Sequence, residues 1–225
     1  MDSQGCYRGV SDEGRAAIAE RGGWLIGLNI PYTLWSHLYD PLLGALFLES
    51  RRKSLAGLGD VTGRKILLVG IGTGLDLPHL PTGAAYYGLD LTPAMLARAR
   101  ARARSLGRTI SLQVGDAMAL PYGDRRFDDV VLHLILAVVP DPRAAFAEAT
   151  RVVKPGGRLV ILDKFLRPGQ RAPLRRLISP LLGRLATRTD VVFEELLTAR
   201  PELTVRRDEP DLAGGWFRRI MAERV

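Results

Sequence analysis

A run of branched apolar side chains that ends in three alternating glycines constrains this chain more than any other feature. Residues Ile66–Gly74 read I-L-L-V-G-I-G-T-G. An apolar run without polar alternation predicts a strand buried on both faces, as in parallel sheets covered by helices. Gly70, Gly72 and Gly74 then predict a tight turn. Glycine reaches positive φ and carries no Cβ, so the backbone can approach a ligand closely. A dinucleotide-type fingerprint would place its third glycine at position 75, where this chain has Leu75.

The segments that follow give the turn its meaning. Ala85–Asp90 predicts a second strand ending in a carboxylate, twenty residues beyond Gly70. Thr92 and Pro93 open a predicted helix that runs through Met95–Leu106. Ile110–Val114 predicts a third strand leading into Gly115, Asp116, Ala117 and Met118. Phe127–His133 predicts a fourth, and Arg158–Leu162 a fifth, after Lys154–Pro155–Gly156–Gly157. Strands and helices in this order predict an α/β doubly wound sheet, whose carboxyl strand ends line a ligand crevice. Three polar residues stand at those ends, each with two readings. Asp90 either accepts the hydroxyls of a ribose or caps the following helix. Asp116 either meets a ligand or stabilises its own turn. His133 is either an active-site group or a satisfied core residue.

Glycine turn, strand-end carboxylate, Gly-Asp turn and Lys-Pro-Gly-Gly together resemble the class I S-adenosylmethionine-dependent methyltransferases over roughly residues 35–225. The resemblance implies a Rossmann-like fold: a mostly parallel seven-stranded sheet, helices on both faces and an N-terminal helical lid. Residues 1–60 would form the lid or interfacial segment. Residues 61–225 would form the cofactor-binding domain, with a basic amphipathic insertion at 164–188. It implies S-adenosylmethionine as cofactor, with Gly70, Gly72 and Gly74 along its methionine and ribose part and Asp90 on the ribose. Leu91 and Met118 would line the adenine, Asp116 would accept from its amino group, Ala117 would also contact the cofactor, and His133 would stand beside the methyl donor. One position departs from the family pattern. An acid usually stands two residues before the first glycine, and this chain has Leu68.

The string Tyr39–Arg52, Y-D-P-L-L-G-A-L-F-L-E-S-R-R, narrows the resemblance to two groups. These are the bacterial phosphatidylethanolamine N-methyltransferases and the ubiquinone/menaquinone-biosynthesis methyltransferases. The first group implies a closing and catalytic role for Tyr39, a proton-accepting role for His133, and lipid-phosphate contacts from Arg51, Arg167 or Arg171.

Charge adds a partner. The net charge is +8, and Lys164, Arg167, Arg171, Arg175, Arg176, Arg184 and Arg188 follow one another with no acid between them. Leu174, Leu177, Ile178, Leu181, Leu182 and Leu185 are interleaved. An apolar face with a basic rim predicts contact with an anionic membrane surface or a phosphate-bearing amphiphile; a helix packed on the sheet with a solvated basic face is the plainer reading. Gly22–Tyr39 carries no formal charge, yet Gly27, Asn29 and Pro31 interrupt it, so it predicts an interfacial or lid element rather than a span, or equally a segment packed against the sheet. Arg98, Arg100, Arg102 and Arg104 fall on two faces of their helix and predict a solvated surface. No nucleic-acid module is recognisable, which argues against a nucleic-acid partner. A single cysteine, Cys6, excludes a disulfide framework and favours a reducing cytoplasm. The three histidines have no zinc-site spacing, so no metal is expected.

The expectation is therefore a methyltransferase acting on a lipid or amphiphile, phosphatidylethanolamine first. It would be cytoplasmic and peripheral at the inner membrane face. A soluble methyltransferase of a quinone or specialised metabolite is the alternative. A non-catalytic cofactor-binding or membrane-adaptor protein is the second alternative, suggested by Leu68.

Overall fold

The computed structural model describes residues 46–167 and 190–225. Tyr39, Arg171 and most of the basic 164–188 stretch lie outside the described residues. Helix α1 (residues 46–56) leads into β1 (Lys65–Val69), β2 (Ala85–Asp90), α2 (Pro93–Ser105), β3 (Ser111–Val114), β4 (Phe127–His133), α3 (Pro142–Val152) and β5 (Val153–Lys164). A short helix α4 (Phe193–Thr198) precedes β6 (Leu203–Pro210) and β7 (Phe217–Arg224). The seven strands form one sheet in the order β3-β2-β1-β4-β5-β7-β6. The first five are parallel, and β7 runs antiparallel between β5 and β6.

The two-faced burial read from Ile66–Val69 is realised by side-chain alternation. Leu67 and Val69 join one apolar cluster with Val130, Leu132, Phe146 and Leu159. Ile66 and Leu68 join the opposite one with Leu55, Leu58, Leu96, Val131 and Val160. Each fully buried aliphatic side chain contributes about 1.5–3 kcal/mol, which makes β1 the axis of the fold. Helix α1 thus contributes to the core through Leu55, and the turn after it through Leu58.

Helix α2 buries Leu96, Ala99 and Ala103, one stripe at helical spacing. Its arginines are not all solvated as the sequence predicted. Arg102 is half-buried, and its Nη1 donates to the carbonyl oxygen of Thr73 at 2.6 Å and to its hydroxyl at 3.0 Å. The glycine turn lies within reach of the second turn of α2, and a long side chain spans the gap. Helix α3 begins at Pro142, and Asp141 caps it by accepting from the amides of Arg143 and Ala144. Lys154–Gly157, read from the sequence as a turn before the fifth strand, lies instead inside β5, as its irregular first part. Pairing shifts between Phe127 and Asp129, and Gly157 packs so tightly that a Cβ would lie 2.6 Å from the Asp128 carbonyl oxygen.

Candidate active site

Three loops converge at the carboxyl ends of β1, β2 and β4. Gly70, Gly72 and Gly74 have φ of 67°, 56° and 81°, the left-handed region that the sequence required of them. Their surroundings differ. A Cβ on Gly70 would lie 2.5 Å from Ile135 Cδ1, whereas one on Gly72 would meet nothing within 4 Å. Gly70 is thus fixed by packing, and Gly72 presents bare backbone to open space where a ligand can lie against it.

Asp90 holds this turn. Its Oδ2 accepts from the Gly72 amide at 2.8 Å and its Oδ1 from the Thr92 amide at 2.9 Å. Burial raises its affinity for a proton, and these amide donors act in the opposite direction. Asp90 thus ties the Gly72 turn to the residue that opens α2, while the N-cap itself is Thr92. Asp116 accepts from the Met118 amide at 2.8 Å, stabilising its own turn at the end of β3. Ala117 is buried, while Leu91 and Met118 are half-buried. Open space at Gly72, a carboxylate at the β2 tip and a half-buried apolar rim fit the glycine turn, ribose and adenine of an adenosyl cofactor.

The tip of β4 carries a buried polar cluster. His133 Nδ1 lies 2.8 Å from Asp76 Oδ1, and His133 Nε2 lies 3.0 Å from the Ser54 hydroxyl. Arg51 Nη1 donates to the same Asp76 oxygen at 2.7 Å. All four residues are buried. Burial by itself would push the Asp76 carboxyl up; His133 and Arg51 outweigh it and hold the carboxyl well below the usual range. Leu134, directly after His133, sits at φ 58°, and its amide donates to the Leu162 carbonyl at 2.7 Å. This left-handed residue turns the chain sharply away from the sheet, and the next residue, Ile135, packs over Gly70.

His133 and the glycine turn were legible in the sequence; Ser54 and Asp76 were not singled out. They meet His133 across 79 and 57 residues of chain, and only the missing acid at Leu68 hinted that a carboxylate had to come from elsewhere. Arg51 points inward to Asp76, and Arg167 is exposed just beyond β5. A second unforeseen carboxylate, Asp163, lies fully buried at the β5 tip. It accepts from the amides of Lys164 at 2.8 Å and Ala137 at 3.2 Å, and burial pushes it up to about 6.

A parallel sheet whose strand tips offer an open glycine turn and a carboxylate beside it fits a nucleoside-cofactor enzyme. The methyltransferase domain family matches residues 67–161. The chain is 34% identical over 189 residues to the phosphatidylethanolamine N-methyltransferase of Cereibacter sphaeroides, covering 83% of this chain and 92% of that protein. It is 35% identical over 153 residues to the demethylmenaquinone methyltransferase of Tropheryma whipplei, covering 65% of this chain and 62% of the other. Among solved structures, a geranyl diphosphate methyltransferase in complex with GPP and sinefungin has a similar fold. Its TM-score is 0.65 at 20% identity, over 79% of this chain and 77% of that one. The chain belongs to the class I S-adenosylmethionine-dependent methyltransferases. It is a methyltransferase enzyme, and its cofactor is S-adenosylmethionine. No helix among the described residues is long and apolar enough to cross a membrane.

Proposed function

We propose that this enzyme methylates the amine of phosphatidylethanolamine or a closely related amphiphile at the cytoplasmic face of a membrane. The observation that carries the reading is the 34% identity to a phosphatidylethanolamine N-methyltransferase across 92% of that protein's length. The basic, leucine-rich stretch between Lys164 and Arg188 supports it, because each cation near an anionic surface adds on the order of 1 kcal/mol of attraction.

S-adenosylmethionine supplies a methyl group already activated by its sulfonium, so the protein's work is alignment and proton removal. Alignment at near-contact distance is worth up to about 7–11 kcal/mol in favourable cases. In this reading Gly72 and Asp90 hold the adenosyl end, with Leu91, Ala117 and Met118 along the base and Asp116 at its amino group. An ammonium acceptor must lose a proton before it attacks. His133 takes that proton: Asp76 fixes its Nδ1 and leaves Nε2, paired with the Ser54 hydroxyl, as the basic nitrogen. Arg167 and Arg171 hold the lipid phosphate through charge-assisted contacts, and Tyr39 closes over the methyl donor.

Incubation with methyl-labelled cofactor and vesicles containing phosphatidylethanolamine tests the proposal. Label in the phospholipid is the expected result, and label only in a demethylquinone supplied alongside would replace it. Quinone methylation is the second reading, favoured by the 35% identity to the demethylmenaquinone enzyme.

A further inference from the structure

S-adenosylmethionine ends in a zwitterion: an α-ammonium and an α-carboxylate borne on one carbon. A site that holds this end needs an acceptor and a donor close together, neither already used by the protein. Leu68 supplies neither. It is 1% exposed, in register with Val131, and packed among Leu55, Leu58, Val131 and Val160. His133 stands two residues beyond Val131, on the same face of β4. Asp76 reaches His133 from just past the glycine turn, its Oδ1 2.8 Å from Nδ1.

The bonding of this cluster is incomplete. Both contacts to Asp76 use Oδ1, and Oδ2 has no hydrogen-bond partner among the described residues. Arg51 donates through Nη1, while its buried Nε–H has no acceptor. The strand-tip carboxylates Asp90 and Asp163 are engaged on both oxygens, Asp90 by Gly72 and Thr92, Asp163 by Ala137 and Lys164; the half-buried Asp116 uses one, on the Met118 amide. The buried Arg51 donor without an acceptor costs stability unless something fills it, and the Asp76 oxygen beside it is open to a ligand.

We infer that the Asp76–Arg51 pair is the receptor for the amino-acid end of the cofactor, with Asp76 accepting from the ammonium and Arg51 donating to the carboxylate. The acid missing at position 68 has in effect moved to position 76. Two anions and two cations then alternate, and every buried charge has an opposite neighbour. The inference rests on the methyltransferase reading of the site and makes no assumption about the acceptor.

Two ligands isolate the contact. S-adenosylhomocysteine carries the zwitterion, whereas 5′-methylthioadenosine has the same nucleoside and sulfur without it. Titration calorimetry on the full chain compares both, for the wild type and for Asp76→Asn. The expected result is a loss of roughly 10- to 30-fold for S-adenosylhomocysteine, the scale of one charge-assisted hydrogen bond, and less than twofold for methylthioadenosine. Equal losses for both ligands would reduce Asp76 to a purely structural role, and no loss for either would overturn the inference outright. If the variant fails to fold, the wild type decides with desamino-S-adenosylhomocysteine: affinity equal to that of the parent ligand overturns the assignment, and a tenfold loss upholds it. A wild type that binds neither nucleoside defeats the cofactor reading itself, a separate outcome.

Discussion

The two ends of the parallel sheet use charge in opposite ways. At the amino end, Asp129 is fully buried and flanked by two guanidiniums, with Arg64 Nε at 2.8 Å and Arg158 Nε at 2.6 Å. Beside it Asp128 meets Lys154 Nζ at 2.7 Å and the Lys65 amide at 2.8 Å. Arg151 closes the same end, reaching Glu148, Asp124 and the carbonyl oxygens of Leu120 and Tyr122. At the carboxyl end, Asp76 keeps an oxygen without a partner, Asp163 is buried with amides alone, and Gly72 faces open space. Carboxylates at the amino end are neutralised by guanidinium and ammonium groups that tie strands together; at the carboxyl end Asp76 keeps one oxygen open. The same residue types are therefore paired off at one end and left partly open at the other.

The contrast can be broken by experiment. Asp129→Ala has the largest expected effect. It strands two partly buried cations, and urea denaturation should show a loss of about 3–5 kcal/mol, with cofactor affinity of the folded fraction unchanged. Next comes Asp163. A carboxyl raised from 3.8 to about 6 binds its proton more tightly in the folded state, a difference of about 3 kcal/mol. That stabilisation is complete below about pH 4 and is lost as pH rises through 6. Stability curves of the wild type and Asp163→Asn should accordingly diverge by about 3 kcal/mol between pH 4 and 7, and parallel curves would refute the assignment. Asp90→Ala should weaken S-adenosylmethionine binding by about 1–3 kcal/mol in a thermal-shift or calorimetric titration, with a smaller change in stability. The smallest effect belongs to a charge at neither end. Arg143 and Glu195 pair at 2.9 Å but are largely exposed, and Arg143→Ala should change stability by no more than about 0.5 kcal/mol.

The parallel part of the sheet was readable because its strands are continuous apolar runs. Ile66–Val69, Ala85–Asp90 and Phe127–His133 fall where hydrophobic periodicity places them. The antiparallel edge was not assigned to residues. In Leu203–Pro210, R-R-D-E occupies most of a solvent-facing strand, a pattern that reads equally well as a loop. Local motifs likewise singled out Gly72, Asp90 and His133, although the partners of His133 come from distant parts of the chain. Ser54, Asp76 and Arg102 escaped because their partners are set by tertiary packing: an α1 side chain meeting the β4 tip, and an α2 arginine reaching back to Thr73. The Arg98–Arg104 run illustrates the limit, since helical pitch alone treats four arginines alike and only the adjacent turn singles out one of them.

Arg51 and Ser54 stand three residues apart on one turn of α1, and each is keyed to a different member of the cluster, Asp76 and His133. A helix held at two such teeth cannot slip or rotate by a single residue without losing both. Registration of α1 against the sheet is therefore set by polar notches as well as by greasy contacts. A one-residue deletion in the linker between α1 and β1 should disable the enzyme even where the hydrophobic surfaces still mate.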